Sequence, residues 1–282
     1  MTTTPCPVEL EQLGPDHFSR ARAPRVYEVL LGGTEMYQCD RDTALDLYMV
    51  AAWVMLAART NRWFTEVATE TVLRLGVRQF LDLGCGLPNR PDLHQLVPEG
   101  CPVVYTDRDP GVLAHAKTRL DPGPPYRTTV VAADLLDMER LLASPEVTGA
   151  FDLSQPIAVT VHDVLPWNTD GTAITDAMAA LRAWLPVGST LSITHLTPDL
   201  NPGQVPEVVS VYERHGIAVR PRSRAEVNAF FGDFTHLGAG LAPVSQWSAH
   251  GSNVRHFNPY PARASDAPAF AGITVKTDHS RR

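Results

Sequence analysis

The stretch Phe80-Leu81-Asp82-Leu83-Gly84-Cys85-Gly86-Leu87-Pro88 decides the fold. It begins as a short apolar run with the character of a buried strand and then enters a turn that contains two glycines. Gly84 and Gly86 can adopt positive φ angles and let a ligand approach the backbone closely. Asp82 places a carboxylate just before this turn. A strand that ends in this way is typical of a ribose-containing cofactor site at the carboxyl edge of a parallel sheet.

Two further acids follow the next two apolar runs of the chain. Asp107 follows the run 103–106 and comes 25 residues after Asp82, close to the roughly 20 expected for an acid that binds ribose. Asp134 follows the run 128–132. We expect Asp107 to accept hydrogen bonds from ribose hydroxyls, Asp134 to accept one from an adenine amino group, and Asp82 to orient the turn. An aspartate after a strand is also a common helix cap, and this remains the alternative for each acid.

The pattern of the chain predicts an α/β fold. Residues 24–76 have helical spacing of apolar positions, interrupted at Gly32-Gly33, and from residue 79 short apolar strands alternate with helices. This predicts a Rossmann-like, mostly parallel sheet with helices on both faces and an N-terminal helical cap. The predicted strands are 79–83, 102–106, 128–132, 157–161 and 190–195, followed by an edge or antiparallel strand at 271–275. The predicted divisions are a loose lead-in (1–23), the cap (24–76), the Rossmann-like domain (77–276) and a tail (277–282).

Composition limits the classes of partner. The 282 residues carry a formal net charge of −7, and the lysines and arginines are scattered, which argues against binding nucleic acid. The longest apolar run, 47–58, has 12 residues. A membrane span needs about 20, so we predict a buried helix there and no membrane association. The sequence leaves a homo-oligomer open.

The cysteines indicate the compartment and argue against a metal site. The four cysteines, one of which is Cys6, form no C-x-x-C pair and have no histidine partner at a spacing typical of zinc sites. They are expected to be free thiols in a reducing environment. The N-terminus lacks the basic start and apolar centre of a signal peptide. We therefore predict a cytoplasmic protein without a metal ion.

The glycine turn discriminates between cofactors. NAD sites use Gly-x-Gly-x-x-Gly, in which the third glycine lets a helix pack closely beneath the pyrophosphate. Here Asn89 stands in place of that glycine, and Pro88 and Pro91 crowd the position where a phosphate-binding helix would begin. Asp82 would also repel a pyrophosphate. A cationic ligand without phosphate fits better, and S-adenosylmethionine is such a ligand.

At this point the chain resembles a known family. Asp82-Leu83-Gly84-Cys85-Gly86 is similar to the first motif of class I S-adenosylmethionine-dependent methyltransferases. More specifically, the chain resembles a family of actinobacterial methyltransferase-like proteins of unassigned function over residues 20–275. The resemblance rests on these further segments: Arg25-Val26-Tyr27, Leu30-Leu31-Gly32-Gly33, Asp40-Arg41, Asn61-Arg62, Gln79-Phe80-Leu81-Asp82, Gly86-Leu87-Pro88, His94, Val104-Tyr105, Asp107, Asp109-Pro110 and Leu113-Ala114-His115-Ala116.

The resemblance implies a seven-stranded Rossmann-like sheet, an N-terminal helical cap and S-adenosylmethionine as cofactor. The chain departs from the family pattern in three places. Thr34-Glu35-Met36 follows Gly33 in place of a Lys-Asp continuation, Cys85 replaces a threonine, and His162-Asp163 ends the fourth strand. These departures put any shared substrate in doubt.

Several residues are candidates for chemistry or cofactor binding. His162 is the first candidate for a general base because its unperturbed pKa lies near neutrality, with Asp163 beside it and His195 as a second candidate. Tyr37 and Tyr27 of the cap are candidates for closing over the sulfonium or the substrate. Arg62 is a candidate for binding the methionine carboxylate. The cofactor site is completed by three further candidates, Gly33, Arg108 and Leu135.

The leading hypothesis is a methyltransferase that acts on a small molecule of secondary metabolism. The sequence His162-Asp163-Val164-Leu165-Pro166-Trp167 is not the Asn/Asp-Pro-Pro-Tyr/Phe motif of enzymes that methylate amide or exocyclic nitrogens. Two alternatives retain the cofactor. One is a displacement at another carbon of the sulfonium, such as a cyclisation that releases methylthioadenosine, and the other is a binding protein without catalysis. An NAD-dependent dehydrogenase is disfavoured by the missing glycine.

Overall fold

The computed structural model describes residues 16–120, 123–125, 127–248, 259–260 and 263–278. Residues 1–15 of the predicted lead-in, with Cys6, and residues 279–282 of the predicted tail lie outside the described residues. Within the described ranges the α-helices are α1 (Ala23–Leu31), α2 (Gln38–Val50), α3 (Val54–Arg74), α4 (Leu93–Leu96), α5 (Pro110–Arg119), α6 (Met138–Leu142), α7 (Pro145–Ala150), α8 (Gly171–Trp184), α9 (Val205–Arg214) and α10 (Arg224–Ala229).

The strands form one sheet. In the described part of the chain they are β1 (Phe80–Leu83), β2 (Pro102–Asp107), β3 (Arg127–Ala132), β4 (Ala158–His162), β5 (Thr190–Leu196), β6 (Thr235–His236), β7 (Ala242–Pro243) and β8 (Ala269–Val275). Seven of these follow one path in the order β3-β2-β1-β4-β5-β8-β6, and β7 pairs with β8 beside that path. β1 to β5 are parallel, whereas β8 runs antiparallel to β5. The predicted Rossmann-like sheet is therefore confirmed, and the last strand is antiparallel.

The central strands are apolar on both sides because helices cover both faces of the sheet. Leu81 and Leu83 of β1 belong to a core with residues of α6, α8 and α10. Phe80 belongs to the opposite core, where it packs with Phe64 of α3 and Tyr105 of β2. Side chains alternate along a strand, so Asp82 lies on the same face as Phe80. This places its carboxyl group on the side of the sheet that α3 covers.

The cap is built from α1 and α2, which pack against α9. Val26, Leu47 and Val211 are buried in the core that these three helices share. α3 takes part in two cores: Val54 and Ala58 pack with α1 and α2, whereas Phe64 packs against the sheet. A buried ion pair joins the first two helices, because Arg25 Nε lies 2.7 Å from Asp40 Oδ2. The same carboxylate accepts hydrogen bonds from the backbone of Arg22 and Tyr37 and so fixes where both helices begin.

The predicted continuous helix over 47–58 is wrong. α2 ends at Val50, Ala51 adopts a non-helical conformation, and α3 begins at Val54. Gln204, at the start of α9, stabilises the break, since its side chain accepts a hydrogen bond from the Trp53 indole at 2.9 Å and donates one to the Val50 carbonyl at 3.1 Å. In the part of the chain that is described, no helix combines the length and the apolar character that a membrane span requires.

In the turn after β1, position 84 favours glycine both for its backbone conformation and for its packing. Gly84 has a φ of +70°, and a Cβ atom added to it would lie 2.7 Å from both Cγ atoms of Val164, in the loop after β4. Gly86 has a φ of +66°, but a Cβ atom added there would meet no other atom within 4 Å. The first glycine therefore allows two loops of the sheet edge to touch, whereas the second only satisfies the backbone conformation.

This difference predicts unequal costs for two alanine substitutions. Gly86→Ala should lower the free energy of unfolding by about 1–2 kcal/mol, the cost of placing an L-residue in the left-handed region. Gly84→Ala should lower it by a further 1–3 kcal/mol or so, because the added methyl group overpacks the contact with Val164. Urea unfolding of both variants measures the difference. The double variant Gly84→Ala/Val164→Ala should recover part of the loss, and equal losses in the two single variants would contradict the packing argument.

Candidate active site

A cavity of about 660 Å³ lies at the carboxyl ends of β1 to β4, beneath the helical cap. Its volume is typical of a site for a cofactor-sized or drug-sized ligand. The cavity spans the gap between β1 and β4, where the strand order reverses, which is the usual ligand position in an open α/β sheet. Of the predicted site residues, these line it: Arg62, Asp82, Gly84, Gly86, Asp107, Arg108, Asp134, Leu135, His162 and Asp163.

Asp107 connects two loops at the floor of the cavity. Its Oδ2 accepts a hydrogen bond from the backbone N–H of Gly86 at 3.0 Å, and its Oδ1 accepts one from the N–H of Asp109 at 2.9 Å. Burial raises the pKa of this carboxyl group, and the two backbone hydrogen bonds oppose the rise. A carboxylate oxygen can accept more than one hydrogen bond. Asp107 can therefore fix the glycine turn and still accept from a ligand in the cavity.

Asp134 is a helix cap as well as a cavity residue. Its Oδ1 accepts a hydrogen bond from the N–H of Leu136 at 2.9 Å, at the start of the short 3₁₀ helix Leu135–Asp137. Its Oδ2 accepts one from Arg108 Nη1 at 3.2 Å. The alternative role that the sequence left open for this acid is thus present in the structure. Leu135 lies beside it as a buried apolar part of the cavity wall.

Asp82 and Arg62 form a second polar region of the cavity, where the sheet faces α3. Asp82 Oδ1 accepts a hydrogen bond from Thr160 Oγ1 at 2.7 Å. Burial raises the pKa of Asp82 to about 6, although this hydrogen bond and the nearby Arg62 guanidinium favour its ionised form. Arg62 donates from Nη2 to the carbonyl oxygens of Asn89 at 2.5 Å and Pro91 at 3.2 Å. The loop after β1 therefore holds the cation next to the acid.

The structure argues against His162 as the general base. Thr65 Oγ1 lies 2.9 Å from its Nδ1, and Ser192 Oγ lies 2.5 Å from its Nε2. Both ring nitrogens are therefore engaged by neutral hydroxyl groups. Burial, together with the charge of Arg62, lowers the pKa of His162 to about 3. An imidazole with this pKa is a weak proton acceptor, so the predicted base role is corrected to a structural one at the end of β4.

Asp163 differs from the other acids of the cavity. Its backbone has a φ of +56°, and within the described residues it is the one non-glycine residue with a positive φ. Its N–H donates to Thr194 Oγ1 at 2.9 Å and to the Thr194 carbonyl at 3.2 Å, which holds this unfavourable conformation. Burial raises the pKa of the carboxyl group to about 7. The side chain lines the cavity and has no hydrogen-bond partner among the described residues.

A chain of hydrogen bonds links Asp163 to the cap. Thr194 Oγ1 donates to Asn61 Oδ1 at 2.5 Å, and Asn61 Nδ2 donates to the Tyr27 hydroxyl at 2.8 Å. The Tyr27 hydroxyl donates in turn to the Ala58 carbonyl at 3.1 Å. Asn61 and Tyr27 both line the cavity. The chain therefore fixes a polar wall that runs from β5 through α3 to α1.

The other three predicted site residues do not line the cavity. His195 is fully buried, and burial lowers its pKa to about 3. Its Nδ1 donates to the Leu196 carbonyl at 2.7 Å, and its Nε2 accepts from Arg222. Tyr37 stands at the start of α2, with the Arg25 guanidinium 4.9 Å from its ring centre. The predicted catalytic roles of His195 and Tyr37 are therefore not supported by their positions.

Gly33 affects the cavity through its neighbour Glu28. A Cβ atom added to it would overlap the carboxyl group of Glu28, which accepts a hydrogen bond from the N–H of Thr34 at 3.1 Å. Gly33 therefore leaves space for a cap acid that lines the cavity, and it makes no contact with the cavity itself. Among the residues described, no group of three or more His, Cys, Asp and Glu side chains is arranged to hold a metal ion.

Sequence reasoning missed part of the cap wall. Glu28 belongs to a stripe on α1 that faces the cavity at the helical spacing i, i+3, i+4 and i+7, and this spacing was the available signal. The members of this stripe are Pro24, Tyr27, Glu28 and Leu31. Thr65 and Ile217 were also missed, because nothing local in the sequence distinguishes them from packing residues.

Comparisons with known proteins agree with this geometry. A family model described as S-adenosyl methyltransferase matches residues 15–277. A DUF574 family protein of Streptomyces avermitilis is 28% identical with a TM-score of 0.84, over 92% of this chain and 98% of that chain. A protein of Thermobifida fusca, provisionally named a methyltransferase, is 28% identical with a TM-score of 0.82, over 93% of this chain and 97% of that chain.

More distant structures show only the fold. An O-methyltransferase family protein of Burkholderia thailandensis has a TM-score of 0.50 at 13% identity, over 80% of this chain and 60% of that chain. No match is found among proteins of curated function. The family model covers nearly the whole chain, and it agrees with the cofactor that the glycine turn and the three acids predict. The chain therefore belongs to the S-adenosyl methyltransferase family, whose cofactor is S-adenosylmethionine.

Proposed function

We propose that the protein methylates a small molecule that binds between the ends of β1 and β4 and the helical cap. One observation carries this proposal: Asp163 places in the cavity wall a carboxyl group that has no hydrogen-bond partner among the described residues, at the point where the strand order reverses. The cavity is large enough for a cofactor together with a small second ligand. The cap over it would exclude water from the reaction.

The residues present fit S-adenosylmethionine. Asp107 has acceptor capacity left for ribose hydroxyls after its two backbone hydrogen bonds. Asp82 beside Arg62 offers one negative and one positive group, which suits the ammonium and carboxylate of an amino acid. Leu135 offers an apolar surface for adenine. When bound, this cofactor supplies a methyl group on a positively charged sulfur atom.

Asp163 is the candidate proton acceptor of the reaction. General base catalysis requires a group that is within reach of the substrate and whose pKa lies near the working pH. The Asp163 carboxyl group meets the second condition with a pKa of about 7, and its position in the cavity wall supports the first. Tyr27 and Asn61, fixed by their hydrogen-bond chain, would position the acceptor.

The released nucleoside tests the reaction type. We expect calorimetry to give saturable binding of S-adenosylmethionine, and mass spectrometry to detect S-adenosylhomocysteine after incubation with a mixture of small molecules. Methylthioadenosine would indicate displacement at another carbon of the sulfonium. Binding without any released nucleoside across a broad mixture would favour a sensor, and both of these results would contradict the proposal.

Asp107→Ala should weaken the binding of S-adenosylmethionine by about ten- to a hundredfold. The substitution removes the ribose acceptor and leaves the N–H of Gly86 without its side-chain acceptor, and each such loss costs about 1–3 kcal/mol. Calorimetry measures the change in Kd. Asp170→Ala is the matched control, because Asp170 also accepts two backbone hydrogen bonds, at the start of α8, but lies outside the cavity wall. An affinity for Asp107→Ala equal to that of the control would refute the assignment.

Asp163→Asn should stabilise the protein without ligand, and more so at high pH. The pKa of Asp163 is raised to about 7, so ionising it in the folded state is unfavourable. The stability of the native protein should therefore fall as the pH rises from about 4 to about 7 and stay lower above that. We expect the gain in Tm of Asp163→Asn to be largest at pH 8 and to vanish near pH 4. Asp176→Asn, exposed on α8, controls for the loss of one surface charge, and a gain independent of pH would contradict the argument.

A further inference from the structure

The cap side of the cavity carries acids and aromatic rings. Asp163 comes from the end of β4, and Glu28 comes from the stripe on α1. Tyr27 lies next to Glu28 in the same stripe, and Trp167 lies in the 3₁₀ helix Leu165–Trp167 that follows β4. The two acids thus reach the cavity from different segments of the chain, each with an aromatic residue of its own segment.

Among the described residues, no cation forms an ion pair with either of these two acids. The arginines of the described cavity wall are Arg22, Arg62 and Arg108, and no lysine is among its residues. Arg108 pairs with Asp134, and Arg22 Nη1 lies 3.5 Å from Asp109. Arg62 donates to two backbone carbonyls beside Asp82. His162, the remaining titratable cation of this wall, is held neutral by burial.

The hydrogen bonds of the acids leave room for a donor. Asp163 uses its backbone N–H toward Thr194, but no described residue donates to its carboxylate. Glu28 accepts at Oε1 from the N–H of Thr34, and in the described part of the chain no donor is recorded for its Oε2. A carboxylate removed from water without a donor is unfavourable. A ligand that brings N–H donors and a positive charge would supply what both groups lack.

The aromatic residues also favour a cationic ligand. The Tyr27 hydroxyl is already engaged by Asn61 and Ala58, so its ring is the part that remains for a ligand. Trp167 packs edge-on against Tyr212, with ring centres 5.1 Å apart, which fixes its orientation. Aromatic rings attract ammonium groups through their quadrupole. Carboxylates and rings together repel an anionic acceptor and favour a cationic one.

Resting on the proposed methyl transfer, we propose that the acceptor is an amine whose ammonium form is recognised by Asp163, Glu28, Tyr27 and Trp167. A carboxylate substrate would meet two acids of the same sign, and a neutral alcohol would bring no positive charge to either of them.

The proton and electrons balance in this scheme. The ammonium group of the acceptor gives one proton to the Asp163 carboxylate and becomes a neutral amine with a free lone pair. The amine nitrogen forms a bond to the methyl carbon, and the carbon–sulfur bond breaks with its electron pair remaining on sulfur. The acceptor leaves as its N-methylated ammonium ion, and Asp163 returns its proton to solvent. No oxidant, reductant or metal ion is required.

Three probes of matched shape test the charge preference: 2-phenylethylamine, 2-phenylethanol and 3-phenylpropionate. Saturation-transfer difference NMR measures their binding to the protein, both alone and saturated with S-adenosylhomocysteine. We expect the amine to bind most tightly and the propionate most weakly. Asp163→Asn and Glu28→Gln should each weaken amine binding by about fivefold or more, since each removes a charge-assisted contact. Glu66→Gln, an exposed acid on α3 outside the cavity wall, matches the change in net charge and should have no effect.

The outcomes separate this inference from the methyltransferase proposal. Tighter binding of the alcohol or the propionate would overturn the amine assignment, as would an amine preference that survives in both Asp163→Asn and Glu28→Gln. A protein that does not bind S-adenosylmethionine or S-adenosylhomocysteine by calorimetry would overturn the methyl transfer itself. The binding of the three probes to the protein without cofactor is measured in the same NMR series. The charge preference can therefore be judged even if the cofactor does not bind.

Discussion

The site depends on one carboxylate that accepts two backbone hydrogen bonds. Asp107 binds the N–H of Gly86 in the turn after β1 and the N–H of Asp109 at the start of α5. These two contacts join the loops of neighbouring strands and set the floor of the cavity. The turn can take this path only because Gly84 lets it touch Val164 in the loop after β4. One acid and one glycine therefore connect the three loops that form this edge of the cavity.

Unfavourable burial of acids is the second feature of the site. Asp82 and Asp163 both have raised pKa values because they are removed from water. Asp82 has Thr160 and Arg62 to offset part of this cost, whereas no cation in the described part of the chain offsets that of Asp163. Such uncompensated groups persist where the surrounding structure holds them, and they cluster at functional sites. The backbone of Asp163 is held at a positive φ by Thr194, so the same residue combines an unfavourable charge with an unfavourable conformation.

Structural features set by residues close in the chain can be predicted from the sequence. Features set by contacts between residues far apart in the chain cannot. The strands, the glycine turn and the acids at the strand ends follow from local patterns, and the structure brings Asp82, Asp107 and Asp134 to one cavity. The break between α2 and α3 is stabilised by Gln204, about 150 residues away in the chain, and no local signal marks it. His162 looked like a base because its unperturbed pKa is near neutral, but hydroxyl groups from α3 and β5 engage both of its nitrogens. A single sequence does not show which side chains will surround a histidine, and those side chains decide its role.

The same sequence signal, an acid directly after a strand, thus has different physical meanings along this sheet. Asp134 accepts hydrogen bonds from a helix start and from Arg108, Asp107 accepts two backbone hydrogen bonds and also lines the cavity, and the Asp163 carboxylate accepts none from the described residues. Asp134 and Asp107 each accept two hydrogen bonds from the protein, so the capacity left for a ligand is greatest at Asp163. Under the proposed amine recognition, specificity for the acceptor therefore resides in the segment after β4 together with the stripe on α1. The buried pair of Arg25 and Asp40 holds α1 against α2 and so fixes the position of this stripe. A relative that keeps the sheet edge but changes this stripe would retain the cofactor and accept a different substrate.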